Sequence, residues 1–162
     1  KQINVYADKH TLIDLEKSFS YCFKSYSKEY PATLKLNKLN KISLINDKSK
    51  KIRIRSVIVE HGKVKSNCFI VDKKLAYISD VSEIYSKDFK EFKNIEYFII
   101  DCFSYNYHPS HFNLDISLSM IKKFKVKYGI LTNLSPTLDY KKLKKILPKN
   151  IVPAFDGLTI KL

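Results

Sequence analysis

The sequence predicts a mixed α/β fold built in layers, and three observations point to it. Two continuous apolar runs, Tyr97–Ile100 and Tyr128–Leu131, alternate with helical segments in the second half of the chain. The middle alternates apolar and polar residues at period two, as half-buried strands do. The 162 residues are 44% hydrophobic and include 11 Tyr and 10 Phe, which is enough to fill a core.

Ile3–Ala7 reads as a short strand. Thr11, with Asp14 three residues on, has capping-box spacing, and Leu12, Leu15 and Phe19 share one face of the helix that should follow. Residues 25–40 are polar, hold Pro31 and lack periodicity, so a loop or loosely attached insertion is expected there. Ile42–Ile45 and Lys51–Val59 read as strands, the second alternating Ile52, Ile54, Ser56 and Ile58 with Arg53, Arg55, Val57 and Val59. Asn67–Val71 and Leu75–Ser79 should pair across Asp72-Lys73-Lys74.

A short helix over Ser86–Phe92 should lead into the Tyr97–Ile100 strand. Asn113 is placed to cap a helix with Leu114, Leu118 and Ile121 on one face. After the Tyr128–Leu131 strand, Tyr140–Ile146 reads as a basic helix with Leu143 and Leu147 inward. Ile151–Leu162 should close the chain with two short strands around the Asp156-Gly157 turn.

Thirty Lys and Arg against 16 Asp and Glu leave a net charge of +14, which favours polyanions. The distribution argues for solvated lysines instead, because they spread along the whole chain and only Arg53 and Arg55 are arginines. Cys22, Cys68 and Cys102 are odd in number and far apart, so neither a disulfide framework nor a zinc knuckle is signalled and buried thiols are expected. No apolar run approaches the roughly 20 residues of a membrane span, and the amino end lacks the pattern of a signal peptide. The expectation is a cytoplasmic protein without a membrane partner. Lys at position 1 suggests a processed or partial chain.

Several residues carry candidate chemistry beside a plainer role. His10 precedes a helix and reads as a surface residue. His61, in Glu60-His61-Gly62, follows a strand where glycine lets the backbone turn and the imidazole face a cleft; a structural histidine is the plainer account. Asp80 also follows a strand and can ligate or bridge divalent cations, or simply cap the Ser82-Glu83 turn. His111, in His108-Pro109-Ser110-His111, stands just before the helix cap Asn113, where it can donate to an anionic oxygen or act as general acid. A satisfied loop histidine is the competing account.

The order of these features is similar to that of a known family. Val5-Tyr6-Ala7-Asp8, Glu60-His61-Gly62, Ala76-Tyr77-Ile78-Ser79-Asp80-Val81, Ile100-Asp101-Cys102, His108-Pro109-Ser110-His111-Phe112, Ile130-Leu131-Thr132 and Ala154-Phe155-Asp156-Gly157 follow one another as in metallo-β-lactamase-fold phosphodiesterases. The chain resembles the carboxy-terminal half of that fold, in the branch related to phosphoribosyl cyclic phosphate phosphodiesterase. The resemblance implies part of an αββα sandwich, forming a single partial domain over residues 1–162. It implies two divalent metals, zinc or manganese, with His61 on one, Asp80 bridging both, and His111 contacting the phosphate or protonating the leaving group.

The departures from the family pattern limit what the resemblance implies. Family members carry a His-x-His-x-Asp-His cluster that supplies most ligands, and these 162 residues do not contain it. The histidine expected after Leu131-Thr132 is Asn133, and another, used in some members for a structural zinc, is Pro136. An amide is a poor substitute for imidazole at zinc, and proline offers no ligand atom. His61 and Asp80 alone fall short of the three protein ligands of a catalytic zinc, so no tightly bound metal is expected for this chain by itself.

Three functional classes follow from these features. One is a fragment of a metal-dependent phosphodiesterase, impaired or inactive alone and acting on a small phosphodiester when complete. The second is a non-catalytic binding or interaction module with a retired site at Asn133 and Pro136. The third is a basic nucleic-acid binder. Half of a sandwich also leaves an apolar sheet face exposed, so a separate amino-terminal half or a second copy is the expected cover.

Overall fold

The computed structural model describes residues 2–47 and 50–162. The chain divides between Ser43 and Leu44 into two compact units. In the first, β1 (Ile3–Ala7) is followed by α1 (Lys9–Ser18), α2 (Ser20–Phe23) and β2 (Leu34–Lys38). The two strands pair in parallel with Ile3 opposite Leu34 and Ala7 opposite Lys38, which the helical crossover makes possible. A strand therefore lies where a loop was expected over residues 25–40.

The cap of α1 is Asp8, three residues before the expected Thr11. An Asp8 oxygen accepts from the backbone N–H groups of His10 and Thr11 at 3.0 and 3.2 Å, and the Thr11 hydroxyl donates back to Asp8 at 2.7 Å. The ionised carboxylate is the stronger acceptor for the free N–H groups of the first turn, so the threonine becomes its donor. Leu12 and Leu15 are half-buried, whereas Phe19 lies just past the helix and is exposed.

A seven-stranded sheet follows, lying in the second unit but for the first two residues of β3, in the order β3 (Ile42–Asp47), β4 (Lys50–His61), β5 (Val64–Val71), β6 (Leu75–Ile78), β7 (Tyr97–Asp101), β8 (Tyr128–Thr132) and β9 (Ile151–Pro153). The β5–β6 hairpin turns with Asp72 and Lys73 both at positive φ, 47° and 57°, and Lys74 N–H bonding to Val71 O at 2.9 Å, the mirror-image turn that suits twisted strands. The β4–β5 and β5–β6 pairs are antiparallel, and β6 through β9 pair in parallel. Strand β4 therefore runs in the same direction as β6, β7 and β8. Their carboxyl ends gather at one edge of the sheet.

Period-two alternation sorts the sheet into two faces. On one, Val57, Cys68, Ile70, Ala76, Ile78, Phe98, Ile100, Leu131 and Ile151 are buried in a core shared with Phe92, Leu114, Ile121 and Leu143. Those last four belong to α3 (Phe89–Phe92), α4 (Leu114–Lys123) and α5 (Tyr140–Ile146), so the helices cover this face. Gly129 sits under α4, where a Cβ would fall 2.6 Å from Ile121 Cδ1; its bareness lets the helix reach the sheet. The other face carries the cross-strand row Phe69, Tyr77, Ile99, Ile130 and Val152. Ile58, Tyr77, Tyr128 and Val152 on this face are exposed, as expected for half of a sandwich.

A 3-10 turn over Ser86–Asp88 precedes α3 where one short helix was expected, and α5 has the expected bounds. The expected second closing strand is absent among the described residues. Beyond β9 the Leu158 N–H bonds back to Phe155 O at 3.1 Å, and Gly157 at φ +90° closes a turn in place of a hairpin arm. Among the described residues no helix is long and apolar enough to cross a membrane.

Candidate metal centre

The gathered strand ends set the site. His61 ends β4, Asp80 follows β6 by two residues, Asp101 ends β7 and Asn133 follows β8. Ligands of open α/β sheets bind at such carboxyl edges. The loop after β7 supplies the remaining groups; its stem is tied by Phe103 N–H to Phe112 O and Leu114 N–H to Ser104 O, both 2.9 Å. Asn113 then caps α4 as expected, accepting from Ile116 N–H at 3.0 Å, and the Ser117 hydroxyl donates to Asp101 O at 2.6 Å, pinning the helix to the end of β7.

His61, Asp80 and His111 each offer one ligand atom, and these atoms all lie within 4.8 Å of one another. All three side chains are half-buried. His61 Nδ1 donates to Ser110 O at 2.7 Å. A carbonyl can only accept, so that nitrogen carries a proton, and in the neutral imidazole the lone pair is then on Nε2. His111 Nδ1 lies 2.8 Å from Asp101 Oδ2, which likewise leaves Nε2 as the free nitrogen. Asp80 accepts from the Ser79 hydroxyl at 2.7 Å on one oxygen, fixing its carboxylate. Imidazoles anchored at one nitrogen by a carbonyl or carboxylate are the usual outer support of a metal site. The donor set fits a divalent cation.

Asp101 was legible in the sequence only as the acid ending a buried strand. It is fully buried and accepts from Val81 N–H at 3.1 Å, from His111 and from the Asn133 amide at 3.2 Å. Burial pushes its carboxyl above the usual range, with the Val81 and His111 hydrogen bonds opposing. An acid at the end of a buried parallel strand, ten residues before a histidine, is the signal that could have paired them.

Asn133, at φ +59°, spends both amide hydrogens on Ser79 O and Asp101 Oδ1, each at 3.2 Å. Its 3.2 Å approach to His111 Nδ1 is therefore proximity and not a third donation. It ties together the ends of β6, β7 and β8. Pro136 takes the second position of the Ser135–Leu138 turn, whose ends bond at 3.0 Å.

Neither a family model nor a curated protein sequence matches the chain. Solved structures do. The metallo-β-lactamase fold protein YhfI from Bacillus subtilis aligns with 97% of the chain at a TM-score of 0.72 and 14% identity. A diphosphatase from the PhnP family aligns with all of it at 0.85 and 23% identity. The chain carries part of a metallo-β-lactamase fold. It spans 64% of the first protein and 59% of the second. Zn(2+)-bound PqqB from Methylobacterium extorquens aligns with the whole chain at 0.71 and 10% identity, over 66% of its own length. Identities this low establish the metallo-β-lactamase fold alone. The fold matches the one the sequence resemblance implied.

Proposed function

We propose that the chain is part of a metallo-β-lactamase-superfamily hydrolase that acts on phosphodiesters, that it holds some of the metal ligands, and that it is catalytically impaired by itself. One observation carries this reading: His61, Asp80 and His111 converge within 4.8 Å at the carboxyl edge of the sheet. The sequence left two ligands, and His111 makes three, the minimum of a catalytic zinc site. Zinc or manganese held there would supply an activated water and positive charge for a phosphate. His61 and Asp80 would bind and orient; Asp101 engages His111 Nδ1, which leaves His111 Nε2 for a role as third ligand in this chain or as proton donor to a leaving group.

The impairment rests on Asn133, whose amide is engaged with Ser79 and Asp101 where an imidazole was expected. The exposed side chains of Ile58, Tyr77, Tyr128 and Val152 on one sheet face support a cover there, supplied by a separate amino-terminal half or by a second copy. A small phosphodiester is the proposed substrate of the completed site.

Zinc titration by calorimetry tests the reading. The expected result is one zinc per chain at micromolar affinity, abolished in His61→Ala and Asp80→Ala, with negligible turnover of bis(p-nitrophenyl) phosphate. Absence of stoichiometric zinc binding overturns it and favours a non-catalytic interaction module. His111→Ala separates the two roles of His111, because a ligand lowers affinity and a proton donor leaves it intact. Binding of single-stranded or duplex nucleic acid with a steep salt dependence, in place of zinc, would favour the basic binder.

A further inference from the structure

His108 is the one histidine of the site loop with no part in that proposal. Its Nδ1 accepts the Ser110 N–H at 3.2 Å. A backbone N–H can only donate, so Nδ1 is the bare nitrogen of this ring. The carbonyl of the same Ser110 accepts from His61 Nδ1 at 2.7 Å. Ser110 is thus held on its amide side by His108, and on its carbonyl side it holds a proposed metal ligand.

The surroundings leave Ser110 little freedom. A Cβ on Gly62 would fall 3.2 Å from Ser110 Cβ and 3.5 Å from its Cα, so the two backbones are in close approach. Pro109 restricts His108 to extended conformations and has no N–H, which makes the Ser110 N–H the first one His108 can reach along the loop. Phe103 stacks on His111 at 4.7 Å and lies 4.9 Å from His108, holding both rings.

We propose that His108 is a positioning residue for the metal centre: by accepting the Ser110 N–H it fixes the Ser110 carbonyl that orients His61 and keeps His61 Nε2 free. This rests on the metal-binding reading of His61, Asp80 and His111. It adds a histidine that would act through Ser110, with its ring also 5.1 Å from that of His111.

Two substitutions separate the acceptor from the ring. His108→Asn keeps a short acceptor for an N–H two residues on, the geometry of an Asx turn, and loses the ring. His108→Phe keeps a ring against Phe103 and loses the acceptor. Zinc affinity should stay near wild type in His108→Asn and fall about 10- to 100-fold in His108→Phe, the usual cost of losing an outer-shell partner. The reverse order, an equal fall in both, or no fall in either overturns the proposal, since ring packing or direct ligation would produce the first two. His108→Ala replaces the Phe variant if that variant does not fold.

A second measurement uses the metal-free chain. Long-range nitrogen–proton NMR should show His61 protonated on Nδ1 in wild type and in His108→Asn, and shifted toward Nε2 in His108→Phe. An unchanged His61 tautomer in His108→Phe overturns the proposal. If the wild-type chain binds no zinc, the metal reading fails, and the tautomer measurement still decides whether His108 positions His61.

Discussion

His111 Nδ1 and Asp101 Oδ2 stand 2.8 Å apart, and Asp101 is completely buried. The same carboxylate accepts from Val81 and Asn133, so one acid ties the end of β6, the site loop and the end of β8. Asp101→Ala strands three donors at once. It should cost about 3 kcal/mol in urea unfolding, the range for a broken buried polar network, and lower zinc affinity. A loss well under that figure would mean water replaces the carboxylate.

The pH dependence of that acid has a definite sign. Burial holds its folded-state carboxyl above the ordinary 3.8, so the folded chain takes up this proton more readily than the unfolded one. Its contribution to stability is full below the unfolded value and is lost as pH rises through the folded value. Asp101→Asn cannot titrate, so the wild-type chain should lose stability relative to this variant as pH climbs above the ordinary carboxylate value of 3.8. Paired urea titrations on both sides of that value read the difference.

Gly62→Ala tests the approach of the β4 turn to the site loop. Gly62 has φ +62°, which costs an alanine about 1–2 kcal/mol, and the added Cβ would press on Ser110. Displacing Ser110 moves the carbonyl that holds His61. Zinc affinity should fall by more than the stability loss explains, a comparison made by calorimetry beside urea unfolding.

The three thiols should separate by reactivity. Cys68 is buried and its thiol is pushed far up by burial; Cys102 is pushed up to about 12 by burial and by the neighbouring Asp101 charge. Cys22 is half-exposed. Iodoacetamide at pH 8 should label Cys22 alone in the native chain and all three in denaturant, counted by mass spectrometry.

Asp8 offers the opposite titration. Slight burial raises its carboxyl, but hydrogen bonds from Thr11 and His10 outweigh this and leave it below the usual value. Its contribution is present above the unfolded pKa and fades as pH falls through the lower folded one. Asp8→Ala should weaken α1 by about 1 kcal/mol, seen as faster amide exchange in Lys9–Ser18.

Most strands and helices of the second unit were legible because their burial is written in period two, in the apolar runs of β7 and β8 and in caps such as Asn113, whereas the second closing strand expected around Asp156-Gly157 is a turn. β2 was not legible, since Leu34-Lys35-Leu36-Asn37-Lys38 is short and polar and gains its state only by pairing with β1. The α1 cap was misplaced because Asp8 and Thr11 both satisfy cap chemistry, and only geometry shows which accepts. His61, Asp80 and His111 were legible as candidates, one strand end or loop at a time. Their convergence was implied only by the family resemblance and not by any local pattern, because it depends on β4 sharing its direction with β6 across an intervening antiparallel strand. The partners of His108 and Asp101 stayed hidden because they are fixed by tertiary contact.

Connectivity divides the sheet into two halves that are expected to form one after the other during folding. β4, β5 and β6 meet their chain neighbours through tight turns, whereas β7, β8 and β9 pair only after long crossovers, and pairings of that kind close late. His61 and Asp80 belong to the early half, and Asp101, His111 and Asn133 to the late one. The ligand cluster therefore exists only once both halves have docked. Bound zinc should leave the refolding rate nearly unchanged and slow unfolding, so that the metal acts as a latch on a finished fold and not as its nucleus.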